Sequence, residues 1–297
     1  MNDTNLALLA VFLAAFVASV ILVPLAGRLG RRLGLVDHPR RGEVQQVEVP
    51  RTGGYAMLAA CAVGVALSVL LLPRFADEYP RLIGLALGAV LLLPLAALDD
   101  WKRLPPLPQF AWQIVVAFVP ISFGIVFDGV AGPFGGILLL PGLLVVPITL
   151  VWIVGMINTL NLTDTMDGLA AGVATIAAFV LAAVSLQNGQ VSIASLPLAL
   201  AGATTGFLIF NFHPSRIIMG SAGSLFLGYI LAVMAIIGGA KIATAVMVLG
   251  LPILDVVWVI ISRLARGRSP FSGGDSAHLP HRLLAMGLSQ RAVALIL

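Results

Sequence analysis

Apolar runs of roughly 17–25 residues recur along the whole chain, and polar residues are concentrated in the links between them. A helix rising 1.5 Å per residue crosses the ~30 Å hydrocarbon layer of a bilayer in such a run. The pattern predicts nine transmembrane helices, at about 6–26, 53–73, 81–98, 110–126, 142–160, 168–186, 194–210, 222–238 and 242–262. A tenth is expected to begin near Gln290 and to be cut by the chain end at Leu297. The first run, Leu6 to Ala26, has neither the basic leader nor the small-residue cleavage site of a secretory signal, so it is read as the first span. The 127–141 link mixes turn residues with a short apolar piece and reads as a small extracytoplasmic hairpin. The expected fold is therefore all-α: a polytopic bundle of nine to ten spans forming one integral membrane domain over residues 1–297.

Composition supports this. Hydrophobic residues make up 60% and charged residues 10%, with a mean hydropathy of +1.06, whereas about a quarter of a soluble domain is charged. The net charge of +4 could suggest nucleic acid as a partner, but its placement argues for the membrane instead. Fourteen of the seventeen Lys and Arg lie in odd-numbered links; Arg74, Arg81 and Lys241 lie in the even ones. The positive-inside rule puts the odd links in the cytoplasm and the N-terminus outside, as in a multi-pass protein of the cell membrane. The single cysteine, Cys61, excludes an intrachain disulfide or a cysteine metal site. A transporter would need a charged path across the membrane, and Asp255 alone is too little for one.

The polar clusters fall in the odd links, so any chemistry is expected at the cytoplasmic face. Asp99 and Asp100 end the third run beside Lys102; two acids at a helix C-terminus are locally unfavourable without a function or a solvated environment. Asn158, Asn161, Asp164 and Asp167 recur every third position. At 100° per residue the four fan over about 180°, so two or three can converge but not all. Oxygen donors of this kind suit magnesium; a plain polar cap broken at Gly168 is the alternative. Gly220, Ser221, Ala222, Gly223 and Ser224 place small residues and free N–H groups at a helix start, which can receive phosphate or serve close helix packing. The last link carries Arg263, Arg266, Arg268, Asp275, His278, His281 and Arg282. Arginine pairs with phosphate and histidine can donate to it, while anionic headgroups would attract the same arginines. Zinc lacks a third obvious ligand beside the two histidines. His38 and His213 read as solvated loop residues.

In order, VDHP, PRTGG, DDWKR, NTLNLTDTMDGLAAG, NFHPSRIIMGSAGSLFLG and GRSPFSGGDSAHLPHRLL cover almost the whole chain. Together they resemble the polyprenyl-phosphate N-acetylhexosamine-1-phosphate transferase family, which includes MraY and the WecA and TagO branch. The final histidine stretch is closer to WecA and TagO. The resemblance implies transfer of a HexNAc-1-phosphate, GlcNAc-1-phosphate above all, from a UDP-sugar to polyprenyl (undecaprenyl) phosphate, releasing UMP at the start of cell-envelope glycan synthesis. It implies magnesium, with manganese as the alternative, and raises a homodimer. Carried over by motif, Asp99 and Asp100 would orient or deprotonate the lipid phosphate. Asn161 would ligate magnesium, as would the residue at the Ser221 position, while Asp164 and Asp167 would shape the metal and diphosphate site. Asn211 would contact the nucleotide, and His278, His281 and Arg282 would hold the sugar diphosphate. Lys102, Asn158, Gly220, Gly223, Ser224 and Arg268 complete the expected substrate-binding set.

Four positions depart from the family pattern. Ser221 stands where the family has aspartate in G-D-x-G-S, and a neutral hydroxyl is a poor ligand for a hard dication. Thr165 replaces a glycine, Pro280 a histidine, and Gln45 lies where relatives often carry histidine. The alternative these departures raise is a relative that binds UDP-sugar or lipid phosphate without turnover.

Overall fold

The computed structural model describes residues 3–37, 48–131, 137–239, 249–267, 269 and 278–297. The chain forms α1 (Asp3–Arg32), β1 (Val36–Asp37), β2 (Val49–Pro50), α2 (Gly53–Leu71), α3 (Glu78–Lys102), α4 (Pro106–Ser122), β3 (Gly129–Ala131), β4 (Ile137–Leu139), α5 (Gly142–Thr163), α6 (Leu169–Gln187), α7 (Val191–Asn211) and α8 (Gly220–Ile237), then α9 (Gly250–Ala265), α10 (Leu279–Ala285) and α11 (Gln290–Ile296). Each of the first eight expected spans coincides with one of α1–α8. Among the described residues seven helices, α1–α3 and α5–α8, are long and apolar enough to cross a membrane, and α4 is a shorter apolar helix. Residues 242–248 of the expected ninth span lie outside the described residues; Leu249 caps α9, and residues 250–262 belong to it. β3 and β4 pair antiparallel, as the expected hairpin requires. A second pairing, Val36 with Pro50 and Asp37 with Val49, was not legible in the sequence.

The packing follows membrane rules. Along α1 the large residues Leu6, Leu9, Leu13, Val17, Ile21, Leu25 and Leu29 are exposed, while Ala15, Ser19, Gly27 and Gly30 face inward. Lipid is as apolar as leucine, so large side chains lose nothing by facing it, and small ones let backbones approach. A side chain at Gly202 of α7 would come within 2.2 Å of the Phe12 carbonyl of α1. Ser19 donates a 2.8 Å hydrogen bond to the Ala203 carbonyl across the same seam.

α8 is the central helix, with almost every side chain buried against its neighbours, chiefly α2, α3 and α5. Its contact with α2 is glycine on glycine: a Cβ at Gly54 would lie 2.1 Å from the Gly223 nitrogen. Gly223 is therefore a packing residue. The C-terminal ends of α1, α3, α5 and α7 and the start of α8 gather at one end of the bundle, and the site lies there. At the other end, the Arg74 side chain is fully buried between Glu78 (3.4 Å) and the hydroxyls of Ser68 and Ser195, tying α2, α3 and α7.

Candidate active site

α3 carries Asp99 and Asp100 into the gap before α8. Asp100 accepts hydrogen bonds from the Ser221 and Ala222 amides (2.8 and 3.4 Å) and from the Tyr55 hydroxyl (3.3 Å), and Arg51 lies 3.6 Å away. A carboxylate at the N-terminus of α8 satisfies amides that have no partner within the helix and meets the positive end of its dipole. Gly220 makes this approach possible: it has φ +65°, and a Cβ there would lie 2.4 Å from the Arg51 carbonyl and 2.9 Å from Asp100 Oδ1. Asp99 accepts from the Leu104 amide (2.9 Å) and Gln109 Nε2 (2.6 Å) through one oxygen, and from the Ser221 hydroxyl through the other. Both acids are thus fully engaged within the protein.

In front of Ser221 opens a cavity of about 440 Å³, and Asn161, Asp164 and Asp167 converge on it. Asn158 does not. Its amide donates to Gln113 Oε1 (2.6 Å) and the Val154 carbonyl, turned toward α4. α5 ends at Thr163, so Asp164 and Asp167 stand on the turn into α6 rather than on a continuing helix, and Gly168 with φ +78° starts the new direction. Asn161 accepts from the Ser224 hydroxyl at 2.9 Å. The Asp164 amide bonds back to the Leu160 carbonyl (3.1 Å), while its carboxylate takes no hydrogen bond from another described residue. Burial raises its pKa to about 7, and the Asp100 and Asp167 charges add to this while Arg51 opposes it.

The remaining expected residues divide. Asn211 borders the cavity, but its amide is consumed by the Gly168 nitrogen (3.1 Å) and the Ile217 carbonyl (3.0 Å), bracing two links against each other. His281 borders the cavity too; burial and the neighbouring His278 hold its imidazole below the usual range, with Asp255 partly offsetting this. His278 is buried against Asp255 (2.8 Å), which also takes the Leu279 amide and so docks α10 onto α9. Arg282 is exposed on α10, and exposed Lys102 lies over the Trp101 ring. Arg268 lies outside the described residues.

Three participants were not singled out from the sequence. Arg51 and Asp37 both border the cavity, paired at 3.4 Å, with Arg103 3.1 Å from the same Asp37 oxygen. Both sit in the VDHP and PRTGG stretches, but the β1–β2 pairing that aligns them is long-range. His213, expected to be solvated, instead bonds Asp167 through Nδ1 at 2.9 Å.

The sequence pattern of glycosyl transferase family 4 matches residues 82–239, more than half of the chain and most of the helices that build this cavity. The chain belongs to glycosyl transferase family 4. This family 4 transferase is 34% identical to the probable undecaprenyl-phosphate N-acetylglucosaminyl 1-phosphate transferase of Bacillus subtilis, over all of this chain and 83% of that protein. It is 33% identical to the decaprenyl-phosphate N-acetylglucosaminephosphotransferase of Mycobacterium tuberculosis, over 91% of the chain and 74% of that protein. It is 31% identical to the phospho-N-acetylmuramoyl-pentapeptide-transferase of Heliobacterium modesticaldum, over 80% of the chain and 74% of that protein. Family membership and the seven membrane-capable helices among the described residues together make it a membrane-embedded transferase.

Proposed function

We propose that this single-domain transferase moves a HexNAc-1-phosphate, GlcNAc-1-phosphate first, from a UDP-sugar to polyprenyl phosphate at the cytoplasmic face of the cell membrane. The products are a polyprenyl diphosphate sugar and UMP. The observation that carries the reading is the cavity itself. The Asp164 carboxylate, without a hydrogen bond among the described residues, shares it with the Arg51 guanidinium and with amide and hydroxyl oxygens, at the level where the spans end and a lipid headgroup would lie. The relatives named for GlcNAc-phosphate transfer match more of the chain than the one named for muramoyl pentapeptide.

In this reaction a lipid phosphate oxygen attacks the β-phosphorus of the donor, the bond to the bridging oxygen breaks, and its electron pair leaves with UMP. Positioning and charge neutralisation carry most of such catalysis. Among the described residues no three His, Cys, Asp or Glu side chains group as a metal site. The donors present are instead the hard-oxygen minority set that magnesium takes, one or two carboxylates completed by phosphate and water. Asp164, Asn161 and the Asp167 or Ser221 oxygen would hold that ion, which when bound offsets the charge of the donor diphosphate. Arg51 supplies a fixed cation on the same wall. Asp99 and Asp100 act one layer behind: they hold the first amides of α8, the Ser221 hydroxyl and Arg51 in place.

The binding-only alternative is not favoured. Asp164 and Asn161 offer oxygen donors independent of position 221, and relatives named as transferases match nine-tenths or more of the chain.

The direct test is UMP release with undecaprenyl phosphate and magnesium across a donor panel. UDP-GlcNAc is expected to lead UDP-GalNAc, and UDP-muramoyl pentapeptide to give none; the reverse order overturns the sugar assignment. A second expected result follows from Asp164. A dication must displace its proton, so the half-saturating magnesium concentration should rise roughly tenfold per pH unit below about 7 and level off above it. The same titration in Asp164→Asn should be flat, and a wild-type curve with no bend near 7 would contradict this role.

A further inference from the structure

We infer that His213 is a positioning residue: it locks the Asp167 carboxylate with one oxygen tied to the α7–α8 link and the other left to the cavity. The inference rests on the transfer reading for its consequence in turnover, but on geometry for the lock itself.

Two donors meet on one oxygen. His213 Nδ1 lies 2.9 Å from Asp167 Oδ2, and the Ser215 amide donates to that same Oδ2 at 3.1 Å. Asp167 Oδ1 takes no hydrogen bond from another described residue, and Asp167 borders the cavity. A carboxylate has a soft terminal torsion, so one hydrogen bond leaves it free to swing, whereas two converging on one oxygen fix the plane and aim the other oxygen. An ionised carboxylate only accepts, so the His213 proton involved is on Nδ1.

The histidine is itself held. Its carbonyl accepts from Arg291 Nε of α11 at 3.1 Å. Two residues upstream, Asn211 grips the Gly168 amide, adjacent to Asp167. The link is thus fastened to the turn on both sides of the ring, and the ring supplies the one removable donor, because the Ser215 contact is backbone. Packing does not account for it: the side chain is one-third exposed, and a surface packing role would be served by any apolar residue.

The test uses the full-length protein in detergent. His213→Ala and His213→Leu are expected to lower UMP release about 10- to 100-fold, the usual cost of removing a group that orients a functional side chain. His213→Asn, whose Nδ2 stands near the place of Nδ1 and can donate, should recover most of the rate. In an Asp167→Asn background, His213→Ala should add little further loss, because the two act as one unit. Wild-type turnover in His213→Ala, equal losses in Asn and Ala, or an undiminished loss in the Asp167→Asn background would each overturn the assignment.

If the wild-type protein releases no UMP, the transfer reading falls and the lock is judged on its own. ¹⁵N-histidine spectra, with His213 assigned by its loss in His213→Asn, should show Nδ1 protonated and its signal displaced in Asp167→Asn. An unprotonated Nδ1 overturns the lock.

Discussion

Asp164→Asn should remove UMP release at least about 100-fold while raising, rather than lowering, the thermal midpoint of the detergent-solubilised protein at pH 8. The first half follows from charge: losing one preorganised electrostatic contact in a phosphoryl-transfer site costs of order 10²–10³ in rate. The second follows from linkage. The carboxylate titrates near 7 in the fold instead of near 3.8, so the folded state holds a proton that the unfolded chain has given up, and stability falls as pH rises between those values. Above 7 the full penalty is present, and asparagine removes it together with the repulsion from Asp100 and Asp167. Loss of activity with gain of stability marks a side chain placed for function. A variant that melts lower and still turns over would show Asp164 to be structural.

Asp100→Ala should have the largest effect on the fold itself. Its side chain is only 3% exposed, and it answers Arg51, the Tyr55 hydroxyl and the Ser221 and Ala222 amides together. Removing one partner of a buried ion pair typically costs about 3–5 kcal/mol, because the other charge is left uncompensated. Asp37 keeps a hold on Arg51 at 3.4 Å, which places the expected cost toward the lower end of that range, with loss of a helix cap adding about 1 kcal/mol. Denaturation in detergent would show it. If Asp100→Ala melted like the wild type but lost turnover, the residue would belong in the cavity with substrate rather than behind it.

Much of this architecture was legible because membrane helices announce themselves by length and composition: α2 and α5 begin where the apolar runs do. That two or three of Asn158, Asn161, Asp164 and Asp167 can converge, but not all four, was also legible; which three was not, because α5 ends at Thr163 and the turn into α6, not helical spacing, brings Asp164 and Asp167 to the cavity with Asn161. What failed were pairings set by distant chain segments. Asp99 and Asp100 read as acids that need a function or a solvated environment, yet besides local and upstream partners they hold donors 121 and 122 residues further on, in the first turn of α8. Arg51 disappears into a tally of loop cations until β1 and β2 bring it beside Asp37. His213 and Asp167 are 46 residues apart, and His278 and Asp255 are 23 apart, so neither dyad leaves a local signature. Ser221 shows the limit from the other side. The sequence displays a missing carboxylate, whereas the structure sets that hydroxyl against Asp99, one hydrogen bond from a carboxylate.

The central claim is that a phosphate travels with the sugar. UDP-GlcNAc labelled with ³²P at the β-phosphate, incubated with the protein, undecaprenyl phosphate and magnesium, distinguishes this from transfer of the sugar alone. Label recovered in the lipid fraction, with unlabelled UMP in the water, is the predicted result. Label remaining in the aqueous phase as UDP, or as unconsumed donor under conditions where the protein is folded, would contradict the account.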